Sequence, residues 1–458
     1  MSKLPAGWAA CSLADIGHIV TGKTPSTKES SFYGGSIPFI RPGDLNHSGP
    51  IVTTETFLTN AGAAEIPNLP PQSIVVTCIG NLGKVGLTTT TSATNQQINA
   101  LIPETGIDPN FVFHYCKTLR PWLEAQSSAT TISIVKKSIF SKAPIQLPPA
   151  AEQTRIAAKL DELLAQVDTL KARTDGIPAL LKRFRQSVLA AAVSGKLTEE
   201  WRTKKASEGT TSPNKGWKTI RIDQASADEK YSLAIGPFGS NLKVSDYRDN
   251  GKPLVFVREI RAECFGDEKT KFITPEKFDD LNAHQISAGD ILVTKMGAPP
   301  GDVAIYPANA PDAVITADCI KLRVNESIIL REYAYFQMKS NFFRQKVQEI
   351  SAGVAQQKVS LGNLRAITLL APSLEEQREI VRHVGELLAL ADQLEARVKA
   401  AQPRIDDLTQ SILAKAFRGE LVPQDPNDEP ASVLLERIKT QRATAPGTKR
   451  GRQAATSG

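Results

Sequence analysis

The chain has 458 residues, of which 41% are apolar and 22% charged, and this length fits two to four domains better than a single core. It has no run of about 18 apolar residues and no signal-peptide pattern, so we expect a cytoplasmic protein without a membrane partner. The net charge of +7 favours a polyanionic partner, although part of it lies in the tail at residues 449–452. Five scattered cysteines and five dispersed histidines predict neither a disulfide framework nor a metal site.

The N-terminal part has the pattern of a mixed α and β domain. Short β-branched runs, including residues 37–40 and 73–79, alternate with turns rich in Gly and Pro. An aromatic, helix-like stretch follows at residues 111–122. We therefore predict a first head at residues 1–147, built on a twisted β-sheet.

Residues 148–202 predict a long helix. Its apolar residues step by four and three positions, which is the a/d pattern of a coiled coil. This seam consists of Ile156, Leu160, Leu163, Val167 and Leu170. Gly176 and Pro178 predict a kink. The polar residues 203–215 have the composition of a flexible linker.

A second head and a second helix follow. The head covers residues 216–371 and opens on Gly216-Trp217, as the first opens on Gly7-Trp8. The helix covers residues 372–422, with a predicted capping box at Ser373 and a possible break at Pro403. Its seam consists of Ile380, Val384, Leu387, Ala391 and Leu394. Residues 423–458 predict a C-terminal extension with a short helix and a basic disordered tail.

The two helical stretches are copies of each other. Residues 148–197 align without a gap on residues 372–421, 224 positions later, and both copies carry a Glu-Gln pair near the start and a glycine near the end. Gly195 and Gly419 predict left-handed helix caps. Each seam needs a partner, and the other copy is the obvious one. The helices either hold two DNA-reading heads apart or only pack a bundle or a dimer.

The order of these motifs resembles the specificity (S) subunit of a type I restriction-modification system, over nearly the whole chain. The first head carries Thr21-Gly22-Lys23-Thr24-Pro25-Ser26, Tyr33-Gly34-Gly35 and Asn95-Gln96-Gln97-Ile98. The second carries Gly236-Pro237-Phe238-Gly239-Ser240-Asn241-Leu242-Lys243 and Gly289-Asp290-Ile291-Leu292. Pro-x-x-x-Glu-Gln and Gly-x-Leu follow each head. The resemblance implies an α+β fold with a pseudo-two-fold internal repeat: two target-recognition domains with twisted β-sheets, separated by two long helices packed as an antiparallel coiled coil.

The resemblance also implies a division of labour. Each head would read one half of a bipartite site in double-stranded DNA, and the helices would set the gap and dock two methyltransferase (M) subunits. Two restriction (R) subunits would complete the complex. S-adenosylmethionine, ATP and magnesium would serve the partner subunits, so that this chain has no catalytic residue, metal or cofactor of its own. The alternative is a helical scaffold that assembles a complex without reading DNA sequence.

One motif points elsewhere. Residues 17–24 match the phosphate-loop pattern G-x-x-x-x-G-K-T. The pattern binds nucleotide only between a buried strand and a helix, and residues 25–31 lack helical periodicity. The chain also has no Asn/Asp-Pro-Pro-aromatic methyltransferase motif and no recognisable nucleophile elbow. An ATPase or a methyltransferase is therefore not expected.

Candidate base-reading residues are polar side chains in the predicted loops, because Arg and Lys pair with guanine and Asn and Gln with adenine. For each of them a solvated loop or a turn cap is the alternative role. In the first head they are Lys23, Thr24, Arg41, Asn81, Lys84, Asn95, Gln96 and Gln97. In the second they are Asn241, Lys243, Arg258, Lys295, Gln356 and Gln357.

Overall fold

The computed structural model describes residues 4–46, 49–128, 132–208, 216–297, 299–351 and 357–444. The chain divides into two compact units. Unit 1 comprises residues 1–174 and 401–458, and unit 2 comprises residues 175–400. Each unit therefore contains one head and part of each long helix.

The first head, in unit 1, is made of short strands and short helices. The strands are β1 (Ala9–Ser12), β2 (Gly17–Thr21), β3 (Tyr33–Ile40), β4 (Pro50–Ile51), β5 (Phe57–Leu58), β6 (Asn68–Leu69), β7 (Ile74–Thr77), β8 (Val85–Thr88), β9 (Ser92–Thr94), β10 (Ile98–Pro103) and β11 (Pro144–Leu147). The helices are α1 (Leu13–Ile16), α2 (Asn60–Ala64), α3 (Pro109–Cys116), α4 (Arg120–Ala125) and α5 (Lys137–Phe140).

Three sheets organise this head. Strand β1 pairs with β11, a five-stranded sheet has the order β2-β10-β7-β8-β4, and a four-stranded sheet has the order β5-β3-β9-β6. Strand β7 is buried along its whole length. Because side chains alternate across a sheet, its Ile74 and Val76 pack with α3 in one core, whereas Val75 packs on the opposite face in a second core.

Helix α6 (Ala150–Val193) leaves the first head, and a short helix, α7 (Glu199–Ser207), follows it. At 1.5 Å per residue, the 44 residues of α6 measure about 66 Å. Pro178 lies inside α6, which is not interrupted there. Buried apolar residues on both sides, Val167 and Leu181, stabilise the helix against the one hydrogen bond that a proline removes.

The linker prediction for residues 203–215 was wrong in its first part. Helix α7 continues to Ser207, and residues 209–215 lie outside the described residues. The helix is held by an ion pair between Lys205 and Glu375 at 2.8 Å and by a hydrogen bond from the Thr203 hydroxyl to the Glu199 carbonyl at 2.9 Å. These contacts favour the helix over the open chain that the polar composition predicted.

The second head, in unit 2, follows the same plan. Its strands are β12 (Lys218–Arg221), β13 (Leu233–Ile235), β14 (Lys252–Val255), β15 (Lys271–Ile273), β16 (Gln285–Ile286), β17 (Ile291–Thr294), β18 (Met296–Gly297), β19 (Val303–Ile305), β20 (Ala313–Ile315), β21 (Cys319–Leu322), β22 (Gln357–Lys358) and β23 (Thr368–Ala371). Its helices are α8 (Ile222–Ala225), α9 (Val257–Ala262), α10 (Pro275–Asp280), α11 (Arg331–Lys339), α12 (Asn341–Glu349) and α13 (Leu361–Ala366).

The sheets of the second head have the strand order of the first, except that β4 is an additional strand of the first head and the pair β18-β22 is additional in the second. Strand β12 pairs with β23, one sheet has the order β13-β21-β17-β19, and another has the order β15-β14-β20-β16. The parallel pairing of β3 with β9 in the first head recurs between β14 and β20 in the second, whereas the first head also has a parallel pair of β4 with β8. Two heads with little similarity in sequence therefore share one strand order, and their loops can be matched by position.

The second long helix is α14 (Leu374–Phe417), and α15 (Ala431–Thr444) follows it. In unit 1, Ile156 and Leu160 of α6 share a core with Ala416 of α14, and farther along α6 Lys171 pairs with Asp406 at 2.5 Å. The partner position on α14 falls as the position on α6 rises. The two segments in unit 1 are therefore antiparallel.

In unit 2 the later part of α6 meets the earlier part of α14. Arg185 pairs with Asp392 at 2.7 Å, and Ala192 shares a core with Ile380 and Val384. These segments are antiparallel too. Both long helices end at a glycine in the left-handed conformation, with φ of 77° at Gly195 and 74° at Gly419, as predicted.

Most of the predicted seam faces a core, but its outer end does not. Each seam packs on the last part of the other helix and on its own head. The buried members are Ile156, Leu160, Val167, Ile380, Val384 and Ala391. Leu163 and Leu387 are half-buried, whereas Leu170 and Leu394 are exposed. In each copy the heptad pattern extends past the part of the helix that the head covers. Its last leucine, Leu170 or Leu394, is therefore exposed.

The start of each long helix is fixed to its head by the repeated Glu-Gln pair. The indole N–H of Trp8 donates to Glu152 at 3.0 Å, and that of Trp217 donates to Glu376 at 3.2 Å. Ser373 accepts from the backbone N–H of Glu376, which is half of the predicted capping box. The Glu376 carboxylate, which would form the other half of the box, binds the Trp217 indole instead.

The glutamine of each pair binds a loop of the head. The Gln153 amide oxygen accepts from the Asp108 N–H at 2.9 Å, and that of Gln377 accepts from the Leu330 N–H at 2.7 Å. Both amides also donate to the carbonyl of the proline that opens the repeat. The predicted fold class, two α+β heads with two long helices packed antiparallel, is confirmed. Among the described residues no helix is long and apolar enough to cross a membrane.

Candidate nucleic-acid interface

In the first head, three loops leave the same edge of the five-stranded sheet. Strand β2 ends at Thr21, β7 ends at Thr77, and β10, which lies antiparallel between them, begins at Ile98. Residues 22–26, 78–84 and 95–97 are therefore neighbours. Seven of the eight predicted residues of this head lie in these loops.

The loop at residues 22–26 is held by backbone contacts and exposes its polar side chains. The Gly22 N–H donates to the Ile98 carbonyl at 3.1 Å, and a Cβ at Gly22 would lie 2.2 Å from the Asn95 carbonyl oxygen. Only glycine fits there. Lys23 is exposed, and the Thr24 hydroxyl donates to the side chain of Gln96 at 2.7 Å. Lys23, Thr24 and Gln96 thus form one polar surface.

Asn95 and Gln97 form side-chain contacts within their own turn. Asn95 is buried; its side-chain oxygen accepts from the Gln97 N–H at 3.1 Å, and its amide donates to the Gln97 side chain at 2.9 Å. These bonds close the turn at residues 95–97. Asn95 is therefore a turn-forming residue, because its polar atoms are already engaged inside the protein, and Gln96 is the member of this run that is exposed.

A buried threonine shapes the loop at residues 78–84. The Thr77 hydroxyl donates to the Asn81 carbonyl at 2.6 Å and accepts from the Lys84 N–H at 2.9 Å. Asn81 is left exposed. The Lys84 ammonium donates to the Asn46 side chain at 2.5 Å, which brings the segment after β3 to the same edge. Arg41 lies in that segment, with its guanidinium 5.4 Å from the centre of the Phe39 ring.

The second head presents the corresponding edge. Strand β13 ends at Ile235, β17 ends at Thr294, and β21 begins at Cys319 between them. The Thr294 hydroxyl accepts from the N–H groups of Gly301 and Asp302, at 3.0 and 2.9 Å. Thr294 therefore holds its loop as Thr77 does in the first head.

Four of the predicted residues of the second head lie at this edge. Asn241 and Lys243 are exposed in the loop after β13. The Lys295 N–H donates to the Asp318 carbonyl at 2.7 Å, and the next residues pair with Gln357 through β18 and β22. Gln356 lies outside the described residues.

Arg258 lies in a helix and not in a loop as predicted. Strand β14 stops at Val255, and Arg258 lies in the first turn of α9, where it pairs with Glu259 at 2.8 Å and donates to the Lys269 carbonyl. Arg261, one helical turn later, pairs with Asp302 at 2.9 Å in the loop held by Thr294.

Buried thiols at both edges serve packing. Burial raises the pKa of the Cys78 thiol to about 11 and that of Cys319 to about 12. Both are therefore neutral at pH 7 and are poor nucleophiles. Among the described residues no group of three or more His, Cys, Asp or Glu side chains could hold a metal ion. The match to a phosphate loop lies mostly in strand β2, and residues 25–29 do not form a helix.

Comparison with known proteins is consistent with this arrangement. The family model for the type I restriction modification DNA specificity domain matches residues 5–179 and 239–401. The StySPI specificity subunit of Salmonella potsdam is 31% identical, over 99% of each chain, and the EcoKI specificity subunit of Escherichia coli strain K12 is 30% identical, over 98% of this chain and 99% of its own.

Two solved structures share the fold. A chain from a type I R-M system, studied for complex assembly and conformational transition, has a TM-score of 0.67 at 19% identity and covers 92% of this chain and 100% of its own. The HsdS subunit from Thermoanaerobacter tengcongensis has a TM-score of 0.60 at 19% identity, over 91% and 98%. With both heads matched by the family model and its relatives aligned from end to end, this chain belongs to the DNA specificity subunits of type I restriction-modification systems.

Proposed function

We propose that each head reads one half of a bipartite DNA site. The observation that carries this proposal is the pair of matching loop edges. The two heads have the same strand order and equivalent loop anchors at Thr77 and Thr294, but the side chains they expose differ. A DNA site with two different halves requires two heads that share a fold but contact bases with different side chains.

An exchange of heads tests this assignment. Residues 1–147 are replaced by the first head of another specificity subunit, and methylated adenines are mapped in a genome that carries the chimera with its methyltransferase. One half of the site should change while the other half and the gap persist. A change in both halves would contradict the assignment. Lack of any salt-sensitive, sequence-selective DNA binding by the wild-type complex would favour the scaffold alternative.

The long helices are proposed to dock two methyltransferase subunits in equivalent ways. Large apolar side chains are exposed at matching positions of the repeat: Leu170 and Leu394 at 47% and 40%, and Phe184 and Leu408 at 36% and 43%. Within unit 1, Leu170 and Leu408 flank the Lys171–Asp406 ion pair. Within unit 2, Phe184 and Leu394 flank the pair of Arg185 with Asp392. Each unit thus has its own apolar patch.

Charge placed in one patch should remove one partner only. Leu170→Glu with Leu408→Glu changes unit 1, and Phe184→Glu with Leu394→Glu changes unit 2. Each double variant should form a complex with one methyltransferase subunit instead of two, as measured by native mass spectrometry. Retention of both subunits by both variants would contradict docking at these patches. Val433→Glu, on α15 and 44% exposed, is the matched control.

The helices are also proposed to set the gap between the two half-sites. Each residue of an α-helix adds about 1.5 Å to its length. Insertions of four and seven residues in α6 and α14 should therefore shift the mapped gap while both half-sites persist. A gap that stays constant would argue against this role.

The chemistry is proposed to reside in the partners. Two M subunits, using S-adenosylmethionine, would methylate adenine N6, and two R subunits, using ATP and magnesium, would cut unmethylated DNA. In this proposal the chain acts in the cytoplasm as a reader and an assembly platform, with no cofactor of its own. Methylation should therefore require both the S and the M chains, and neither alone should modify DNA.

A further inference from the structure

The loop after β13 holds an aromatic side chain out in solvent. Phe238 is 66% exposed, and the loop around it is ordered by short contacts. The Asn241 N–H donates to the Phe238 carbonyl at 2.8 Å, which closes a turn, and the next residue, Leu242, is buried among Leu254 and Phe278. The ring is therefore presented by an anchored turn. A single exposed ring is common on protein surfaces, so the position of the loop decides what this ring can contact.

The position of this loop is the same as that of the loop at residues 22–26 in the first head. The Gly236 N–H donates to the Cys319 carbonyl at 3.0 Å, and a Cβ there would lie 1.9 Å from the Thr316 carbonyl oxygen. Gly22 is held in the same way. Two residues beyond these glycines lie Thr24 in the first head and Phe238 in the second. One anchored loop therefore carries a polar tip in one head and an apolar tip in the other.

Base chemistry decides what an apolar tip can recognise. Among the base edges of the major groove, thymine alone presents an apolar group, its C5-methyl. Phe238 lies at the loop edge with Asn241 and Lys243, whose side chains suit base and phosphate contacts. We propose that Phe238 is a specificity-determining residue that contacts the C5-methyl group of a thymine in the half-site read by the second head. The inference rests on the proposed function, under which each methylated adenine pairs with a thymine.

Replacing thymine by uracil removes that methyl group alone. Target duplexes are prepared with single thymine-to-uracil changes in the second half-site and titrated with the complex of the full chain and its methyltransferase. At one position the wild type should bind about four-fold more weakly, the equivalent of one buried methyl group. Phe238→Ala should bind the normal duplex about ten-fold more weakly and respond to no uracil change.

Phe342→Ala is the matched control, because Phe342 is 56% exposed in the same head but lines a cavity with Val193 and Leu369. It should keep the wild-type response to uracil. The inference is overturned if no uracil change weakens the wild type, if Phe238→Ala binds normally, or if it loses affinity yet keeps the uracil response. It is also overturned if Phe238→Ala fails to bind the methyltransferase, which would make the ring a protein contact. Failure of the wild-type complex to select any sequence would instead overturn the proposed function.

Discussion

The same glutamate occupies two different environments in the two copies of the repeat. Glu376 accepts from the Trp217 indole and pairs with Arg202 at 2.6 Å. Glu152 accepts from the Trp8 indole, and among the described residues its second oxygen, Oε1, is buried without a hydrogen-bond partner. The residue aligned with Arg202 in the second copy is a proline. Glu→Gln should therefore have different effects at the two positions.

The structure sets the size of each effect. Breaking a buried ion pair costs about 3–5 kcal/mol. Because the Arg202 side chain is 34% exposed, we expect Glu376→Gln to lower the free energy of unfolding by about 2–3 kcal/mol. Glu152→Gln keeps an acceptor for the indole and removes an unpaired buried charge. Since the new amide also lacks a partner, the change should lie between zero and a gain of about 1 kcal/mol.

The effect at Glu152 depends on pH in a defined direction. Burial raises the pKa of the Glu152 carboxyl above its ordinary value. The folded state therefore holds its proton more tightly than the unfolded state, so this group favours folding below its ordinary pKa and loses that contribution as pH rises through the raised value. The advantage of Glu152→Gln should be smallest in mild acid and largest at neutral pH.

Urea unfolding of the full chain at pH 5 and pH 7 measures both changes. Because a chain with two compact units need not unfold in one step, hydrogen exchange in peptides containing Trp8 or Trp217 locates each effect. Arg202→Met and its double variant with Glu376→Gln isolate the energy of the pair. Equal destabilisation by the two glutamine variants would refute the reasoning. A loss of unfolding free energy in Glu152→Gln that grows from pH 5 to pH 7 would refute it too.

Three further outcomes follow from single side chains. Gln377→Ala should lower the free energy of unfolding by about 2–4 kcal/mol, because this buried amide binds three backbone groups. Denaturant unfolding measures the change, and a value below about 1 kcal/mol would contradict the prediction. Thr294→Val should leave the fold intact but speed hydrogen exchange at Asp302, whereas Gly301 keeps its bond to the Thr294 carbonyl. Unchanged exchange at Asp302 would be the contrary result. Lys23→Ala should reduce the slope of log affinity against log salt by about 0.9, whereas an unchanged slope would show that Lys23 meets no phosphate.

The long helices were predictable because their information is local. The aligned Glu-Gln pairs and glycines mark the ends of α6 and α14, and Gly195 and Gly419 adopt the expected left-handed conformation. What the Glu-Gln pair does was not predictable. Its partners, such as Trp8 for Glu152 and Leu330 for Gln377, lie 144 and 47 residues away in sequence, so the three-dimensional fold has to be known first.

Candidate residues in the heads were placed less well for the same reason. Loop composition marked residues 22–26 and 95–97, but it could not distinguish Asn95, which turns inward, from Gln96, which is exposed. Arg258 was predicted to lie in a loop, yet the chain turns into α9 after Phe256. The local backbone conformation decides whether a polar side chain points outward or into the protein. Amino-acid composition does not predict that conformation.

The division between inward and outward residues explains how one fold can serve different targets. Gly22, Gly236, Thr77 and Thr294 hold the loops through backbone atoms and buried hydroxyls. Those bonds do not involve the exposed side chain at a loop tip such as Phe238. A substitution at a tip can therefore change the chemistry offered to DNA while the loop keeps its path. The repeated helices, whose buried Glu and Gln bind the heads, have no comparable freedom, and in this chain they are the part whose two copies align without a gap.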